Sequence, residues 1–245
     1  MITKVTITGA DDSIQPAELL ALTREFPFVE WGILLSRSSM GNNRFPSTMW
    51  LLTLARYQKS LAQTGQQLTL SGHLCGRWVK DILVGKHEFV DALTPEVWDI
   101  FSRIQINTHA EFHSATAVGI GMLNRLRDKE FIFQYDNVNT ILLELARNAS
   151  VNHSALFDLS HGVGKLPSQW PDLIQNLSCG YAGGLSPENL REQIYRIEEK
   201  AGDTPIWIDM ETHVRSNNDK QFDLGKVRAC LEIASEFIEA YWHHE

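Results

Sequence analysis

The chain has 245 residues, of which 43% are hydrophobic and 21% are charged, and its formal net charge is −8. This composition is typical of a folded globular enzyme and argues against a disordered chain. The acidic balance argues against binding to nucleic acid or to an anionic membrane, so local donors must hold any phosphate. No apolar run approaches the roughly 20 residues that a membrane-spanning helix needs.

Short apolar runs alternate with longer amphipathic stretches along the chain, which is the pattern of successive βα units around a parallel sheet. The predicted strands lie near residues 4–8, 29–35, 68–74, 104–108, 131–135, 155–159, 177–182 and 205–210. The predicted helices lie near residues 16–26, 46–63, 114–128, 138–148, 187–201 and 222–242. The strands begin at intervals close to the ~30 residues of one βα unit.

Eight such runs at fairly even spacing predict one closed (β/α)₈ barrel that spans residues 1–245 as a single domain. No GxGxxG follows the first strand, which argues against an open dinucleotide-binding sheet, and no organic cofactor is implied. The three cysteines form no CxxC pair. That spacing suits reduced thiols and predicts a cytoplasmic protein.

In a closed barrel, the carboxyl ends of all the strands face one mouth, where active sites lie. The ionisable side chains near these ends are Asp11, Asp12, Arg37, Arg44, His73, Cys75, His109, Asp136, Asp158, His161, Glu211 and His213. Their number favours an active site, although single rim residues are often only solvated. The histidines lie on different strands without an HxH or HExxH motif, so no metal site is predicted. A metal-assisted lyase or hydrolase that uses these histidines stays open as an alternative.

The most specific motif in the chain is YAGGLSPENL at residues 181–190. Two glycines after a strand let the backbone approach a ligand closely, and the next helix offers N–H groups to an anion. The motif resembles the seventh-strand segment of the phosphoribosylanthranilate isomerase family. The resemblance implies a (β/α)₈ barrel that binds a phosphorylated small molecule through Gly183 and Gly184. Glu211, Thr212 and His213 align with the family's Ser-Ser-Gly on the eighth strand, and we expect them to contact the ligand.

Three other segments are similar to the same family. Val5–Gly9 resembles the segment that carries the family's catalytic cysteine, the general base, at the position of Thr8 here. Phe157-Asp158 resembles the strand end that carries the general acid, which implies that role for Asp158. The loop through Arg44 resembles the segment whose arginine faces the substrate carboxylate.

The departures from the family's pattern bear on the reaction. A threonine hydroxyl at position 8 cannot remove a proton as a thiolate can. The general base is therefore unassigned, with His73, Cys75 and Asp11 as candidates. The Glu211 carboxylate would repel a phosphate unless it is protonated or turned away.

The sequence favours an isomerase-like or lyase-like enzyme that acts by acid/base catalysis on a small, phosphorylated metabolite of sugar or aromatic type. It does not favour the family's own reaction. The alternative is a non-catalytic barrel that binds a ligand or a partner. The oligomeric state cannot be read from the sequence.

Overall fold

The computed structural model describes residues 1–86, 93–108, 117–126, 128–136, 140–158 and 164–242. Within these ranges, eight parallel strands pair in chain order and close into a barrel, because the first strand also pairs with the eighth. The strands are β1 (Ile2–Thr8), β2 (Val29–Leu35), β3 (Leu70–Leu74), β4 (Arg103–Ile106), β5 (Glu130–Tyr135), β6 (His153–Asp158), β7 (Cys179–Ala182) and β8 (Ile206–Met210). The predicted closed (β/α)₈ barrel is confirmed.

Helices follow the strands and pack outside the barrel. They are α1 (Pro16–Glu25), α2 (Thr48–Ala62), α3 (Arg77–Leu83), α4 (Pro95–Trp98), α5 (Ala117–Met122), α6 (Thr140–Asn148), α7 (Leu190–Ala201) and α8 (Leu224–Trp242), with 3₁₀ turns at Leu123–Leu126 and Thr212–Val214. A short ribbon of β9 (Arg215–Ser216) and β10 (Gln221–Phe222) follows the eighth strand. No helix in the described ranges is both long and apolar enough to cross a membrane.

Helix α7 begins at Leu190, later than the predicted start near residue 187. The intervening residues form a helix-like turn, in which the N–H groups of Asn189 and Leu190 donate to the carbonyl of Ser186. The Asn189 side chain accepts from the Ser186 N–H and donates to the Gly184 carbonyl, at 3.0 and 2.9 Å. The asparagine therefore fixes the glycine turn that precedes the helix.

The barrel interior is polar at its amino-terminal end. Glu30 on β2 is fully buried and accepts from the Arg103 guanidinium at 2.9 Å and from the Thr6 hydroxyl at 3.0 Å. Arg103 also donates to Glu130 at 3.2 Å. Since the cost of burying a charge is offset only by partners, these contacts tie β1 and β2 to β4 and β5 across the barrel interior.

An apolar layer of Ile132, Leu156, Ala182 and Trp207 also lies inside the barrel. The Trp207 ring stacks on the Arg103 guanidinium, with 4.3 Å between the ring centroid and Cζ. A Cβ at Gly180 would collide with the Trp207 ring, so only glycine fits beside the indole. This packing fills the barrel with side chains and leaves open space at its carboxyl end.

Candidate active site at the mouth of the barrel

A cavity of about 330 Å³ opens at the carboxyl ends of the strands. Its size is at the lower end of the range for small-molecule pockets. The polar and charged side chains that line it are Arg44, Cys75, Gln105, Asn107, Gln134, Asp158, Asp209, Glu211, Thr212 and His213, and the glycine turn at Gly183 and Gly184 completes its wall. The barrel thus brings candidates from seven strand ends or following loops to one space.

Asp158 is the last residue of β6 and lines the cavity. Its side chain is 8% exposed, and Oδ2 accepts a hydrogen bond from Gln134 Nε2 at 2.6 Å. The amide of Gln134 comes from the neighbouring strand β5, so it can orient the carboxylate toward the cavity. The structure thus places the predicted Asp158 in the lining of the cavity.

Asp209 is a cavity residue that the sequence reasoning missed. It lies on β8, and Oδ1 accepts a hydrogen bond from the Thr8 hydroxyl at 2.7 Å. Among the described residues, no donor reaches its other oxygen, Oδ2. Burial raises the pKa of Asp209 well above its usual range; the Thr8 hydrogen bond opposes the shift, while Glu211, Glu30 and Asp158 add to it. Asp209 therefore keeps a proton to higher pH than an ordinary carboxyl does.

Glu211 lies just beyond β8 and forms an ion pair with Arg44, with 2.5 Å between Oε1 and Nη1. Arg44 also reaches Asp219, through Nε at 2.9 Å and Nη2 at 2.8 Å. Enclosure in the mouth raises the pKa of Glu211, which the Arg44 guanidinium partly opposes and the nearby Asp158 and Asp219 reinforce. Glu211 thus lines the cavity with its Oε1 atom paired to an arginine.

The three candidates for the unassigned base are not equivalent in the structure. Cys75 lines the cavity, but burial and the nearby Glu211 raise the pKa of its thiol to about 12, against a smaller opposing effect of the Asn107 hydrogen bond. Its thiolate population at neutral pH is therefore very small.

His73 lies inside the barrel on β3, beside Ser71, whose Oγ is 3.0 Å from Nε2. It does not line the cavity. Complete burial and the positive charge of Arg103 lower the pKa of His73 to about 3, so the imidazole is neutral at physiological pH. The neutral ring packs against Gly32, where a Cβ would come within 2.9 Å of it.

Asp11 also lies away from the cavity lining. Oδ1 accepts from the backbone N–H and the hydroxyl of Ser13, and Oδ2 accepts from the Arg44 N–H and from Arg215 Nη2 at 2.6 Å. With two donors on each oxygen, Asp11 holds the loops after β1, β2 and β8 together. This contact fixes the backbone of Arg44, whose φ is 61°.

The remaining predicted ligand contacts line one side of the cavity. The N–H groups of Gly183 and Gly184 donate no hydrogen bond within the described residues, and the two φ angles are 119° and 67°. A Cβ at Gly184 would collide with the backbone of Leu166, so glycine is required there. His213 Nε2 lies 2.8 Å from the Gly164 carbonyl, and Thr212 packs beside Gly164. His109 and His161 lie outside the described residues, and among the residues that are described no three His, Cys, Asp or Glu side chains converge as metal ligands.

The fold and this cavity define a (β/α)₈ barrel with an acid-rich site at its carboxyl-terminal mouth. No protein-family model matches the chain, and no curated protein matches its sequence.

Solved structures do resemble it. A phosphoribosylanthranilate isomerase from Thermotoga maritima, crystallised as engineered monomers, aligns with a TM-score of 0.55 and 15% identity over 96% of this chain and 100% of that chain. A protein described as spore coat polysaccharide biosynthesis protein E from Chromobacterium violaceum aligns at 0.54 and 11%, over 97% and 76%. KGPDC from Streptococcus mutans, solved in complex with a phosphosugar, aligns at 0.46 and 11%, over 95% and 98%. The first two alignments show a shared fold, and their low identities show no more than that.

Proposed function

We propose that this chain is an enzyme that acts on a small, phosphorylated metabolite by acid/base catalysis, in an isomerase-like or lyase-like reaction. The observation that carries the proposal is the pair of carboxyl groups, Asp158 and Asp209, which line the same cavity in different surroundings. Two titratable groups whose environments differ are the usual basis for separate acid and base roles.

The surroundings suggest how the roles divide. Asp209 has a raised pKa and suits the acid, which gives its proton to an oxygen or nitrogen of the substrate. Asp158 then suits the base, which takes a proton from carbon; this reverses the role that the family resemblance implies for it. As Asp158 takes the proton, the C–H electron pair forms the double bond of an enol whose oxygen or nitrogen receives the proton of Asp209. Return of a proton from Asp158 to the neighbouring carbon, with a proton of the enol passing back to Asp209, completes the isomerisation and restores both carboxyl groups. The mechanism invokes protons alone and needs no organic cofactor.

The phosphate of the substrate is assigned to the glycine turn. Gly183 and Gly184 offer two backbone N–H groups at the cavity wall, and the helix-like turn that begins at Ser186 leads into α7 directly behind them. Backbone N–H groups before a helix are a common anion site, and the helix dipole adds about 0.3–1 kcal/mol. Arg44 already pairs with two carboxylates, so the phosphate is assigned to the backbone donors rather than to this arginine.

We expect phosphate or sulfate to bind at this turn. Crystals soaked in either ion should show it within hydrogen-bond distance of the Gly183 and Gly184 nitrogens, and phosphate titration should shift the two amide resonances. Ordered anions elsewhere on the protein, with none at the turn and no movement of these resonances, would remove the phosphate from the proposal.

We also expect little or no phosphoribosylanthranilate isomerase activity. Thr8 stands at the position of the family's cysteine and its hydroxyl donates to Asp209, while the Cys75 thiol stays protonated. Loss of a general base usually costs about 10²–10⁴ in rate. The check is complementation of a tryptophan auxotroph that lacks this isomerase, and efficient growth would show that another group, such as Asp158, has taken over the missing role.

A barrel that binds its ligand without turnover is the second candidate. One observation favours it: the thiol that could act as base, Cys75, has a pKa of about 12 and therefore remains a neutral hydrogen-bonding group. Substitution of the two aspartates separates the candidates, since a binding barrel would keep its full function without proton transfer.

A further inference from the structure

Arg44 is the one arginine or lysine among the described residues that line the cavity, and both edges of its guanidinium are already occupied. Asp219 accepts a hydrogen bond from Nε at 2.9 Å and forms an ion pair with Nη2 at 2.8 Å, and Glu211 accepts from Nη1 at 2.5 Å. A carboxylate binds arginine best through two parallel N–H bonds on one edge. The protein thus supplies its own carboxylates to Arg44 and leaves no edge for a carboxylate of the ligand.

Gln105 presents a hydrogen-bond acceptor on the same wall of the cavity. It is 4% exposed, and its Nε2 donates to Asn107 Oδ1 at 2.8 Å. Asn107 in turn donates to the Cys75 sulfur at 3.3 Å, and these residues line the same cavity as Glu211. The Oε1 atom of Gln105 is buried without a hydrogen-bond partner. A buried amide oxygen without a donor is costly, and a ligand donor would satisfy it.

From these contacts we infer that the end of the ligand remote from its phosphate carries hydroxyl groups and no carboxylate. A hydroxyl can donate to Gln105 Oε1 or to Asp158 and can also accept the proton of Asp209. A carboxylate would find acceptors at Gln105, Asp158 and Glu211, and the described residues that line the cavity offer it no unpaired arginine or lysine. This inference rests on the proposed function and narrows its substrate class to sugar-type or polyol phosphates rather than aromatic acids.

Two probes differ only in the feature at issue. sn-Glycerol 3-phosphate and the L enantiomer of 3-phosphoglycerate share the phosphate and the configuration of the central hydroxyl, and the first ends in a hydroxymethyl group where the second has a carboxylate. Calorimetric titration of the wild-type protein with inorganic phosphate and with each probe should show glycerol 3-phosphate binding at least about tenfold more tightly than 3-phosphoglycerate, because like charges oppose the second probe.

Three variants test which side chains cause the difference in affinity between the two probes. Gln105→Met keeps the side-chain length without the acceptor. It should weaken the binding of glycerol 3-phosphate about tenfold and leave the affinity for inorganic phosphate unchanged. Glu211→Gln frees one edge of Arg44 and should strengthen the binding of 3-phosphoglycerate about tenfold. Glu25→Gln removes a carboxylate from another arginine pair, on the surface with Arg228, and should change none of the affinities. Melting temperatures of all variants exclude unfolding as the cause.

The outcomes distinguish this inference from the proposed function. If 3-phosphoglycerate binds as tightly as glycerol 3-phosphate, or if glycerol 3-phosphate binds no better than inorganic phosphate, the inference is overturned while the phosphate site stands. If inorganic phosphate and both probes fail to bind, the phosphate half of the proposed function fails and the inference fails with it.

Discussion

Replacing Asp158 by asparagine is expected to lower turnover by about 10²-fold or more, because the amide keeps the shape of the carboxylate but cannot exchange a proton. Asp209→Asn should have an effect of similar size, and the wild-type protein should lose activity as the pH rises through the raised pKa of Asp209. Both residues line the cavity, so we expect neither change to shift the melting temperature by more than a few degrees.

The measurement must not depend on knowing the substrate. Proton transfer at carbon can be followed by ¹H NMR in D₂O, as exchange of the C–H next to the carbonyl of dihydroxyacetone phosphate, D-ribulose 5-phosphate and D-fructose 6-phosphate. Asp172→Asn is the matched control, because Asp172 is an exposed aspartate that pairs with Lys200 outside the cavity. It should leave exchange unchanged.

A structural Asp158 would give the opposite pattern. The carboxylate would then serve to accept the hydrogen bond from Gln134 and stabilise the fold. Asp158→Asn would lower the melting temperature, while proton exchange would stay close to normal. Absence of exchange with all three probes in the wild-type protein, together with tight binding of glycerol 3-phosphate, would favour the barrel that binds without turnover.

The fold was largely predictable because the strands and helices of successive βα units each have a recognisable hydrophobic pattern in the sequence. The strand from Val29 to Leu35 has its predicted bounds, while β3 and β7 begin two residues later than predicted. Such offsets arise because pairing with both neighbours in the closed barrel sets where a strand begins, and the local composition does not record that register.

Depth within the barrel explains which site residues were predictable. Residues just beyond strand ends, such as Cys75 and Glu211, reach the cavity, and proximity to the end was enough to select them. His73 lies on β3, two residues before Cys75, so its side chain also points into the barrel but lies below the cavity. Asp209 is set within β8 and still reaches the cavity, since the strands are staggered. Side chains two residues apart on a strand point to the same side, so Asp209 faces the same way as Glu211. This alternation is the signal that could have identified Asp209.

The long-range partners of Asp11 could not be predicted in this way. Its carboxylate accepts from Arg215, which is 204 residues away in the chain. An aspartate in a loop after β1 has the same local sequence whether it faces a substrate or a buried arginine. Only the closure of the barrel brings the two loops into contact. That contact determines that Asp11 binds the buried arginine and does not face a substrate.

The largest loss of stability is expected from breaking the ion pair between Glu30 and Arg103. The Glu30 side chain is fully buried and that of Arg103 is 5% exposed. Arg103→Met keeps much of the side-chain volume but leaves the Glu30 carboxylate with the Thr6 hydroxyl and, at 3.6 Å, the Lys4 ammonium. Removing one partner of a buried pair typically costs about 3–5 kcal/mol. For a chain of this length we expect the melting temperature to fall by about 6–20 °C.

The control is a surface pair of the same chemistry. Arg228 and Glu25 are 42% and 48% exposed, so Arg228→Met should lower the melting temperature far less than Arg103→Met. The double variant Glu30→Gln/Arg103→Met should recover part of the loss, because no uncompensated charge then remains inside the barrel. If Arg103→Met is no worse than Arg228→Met, Lys4 already compensates Glu30. The amino-terminal end of the barrel would then be held by its apolar layer around Trp207 rather than by this pair.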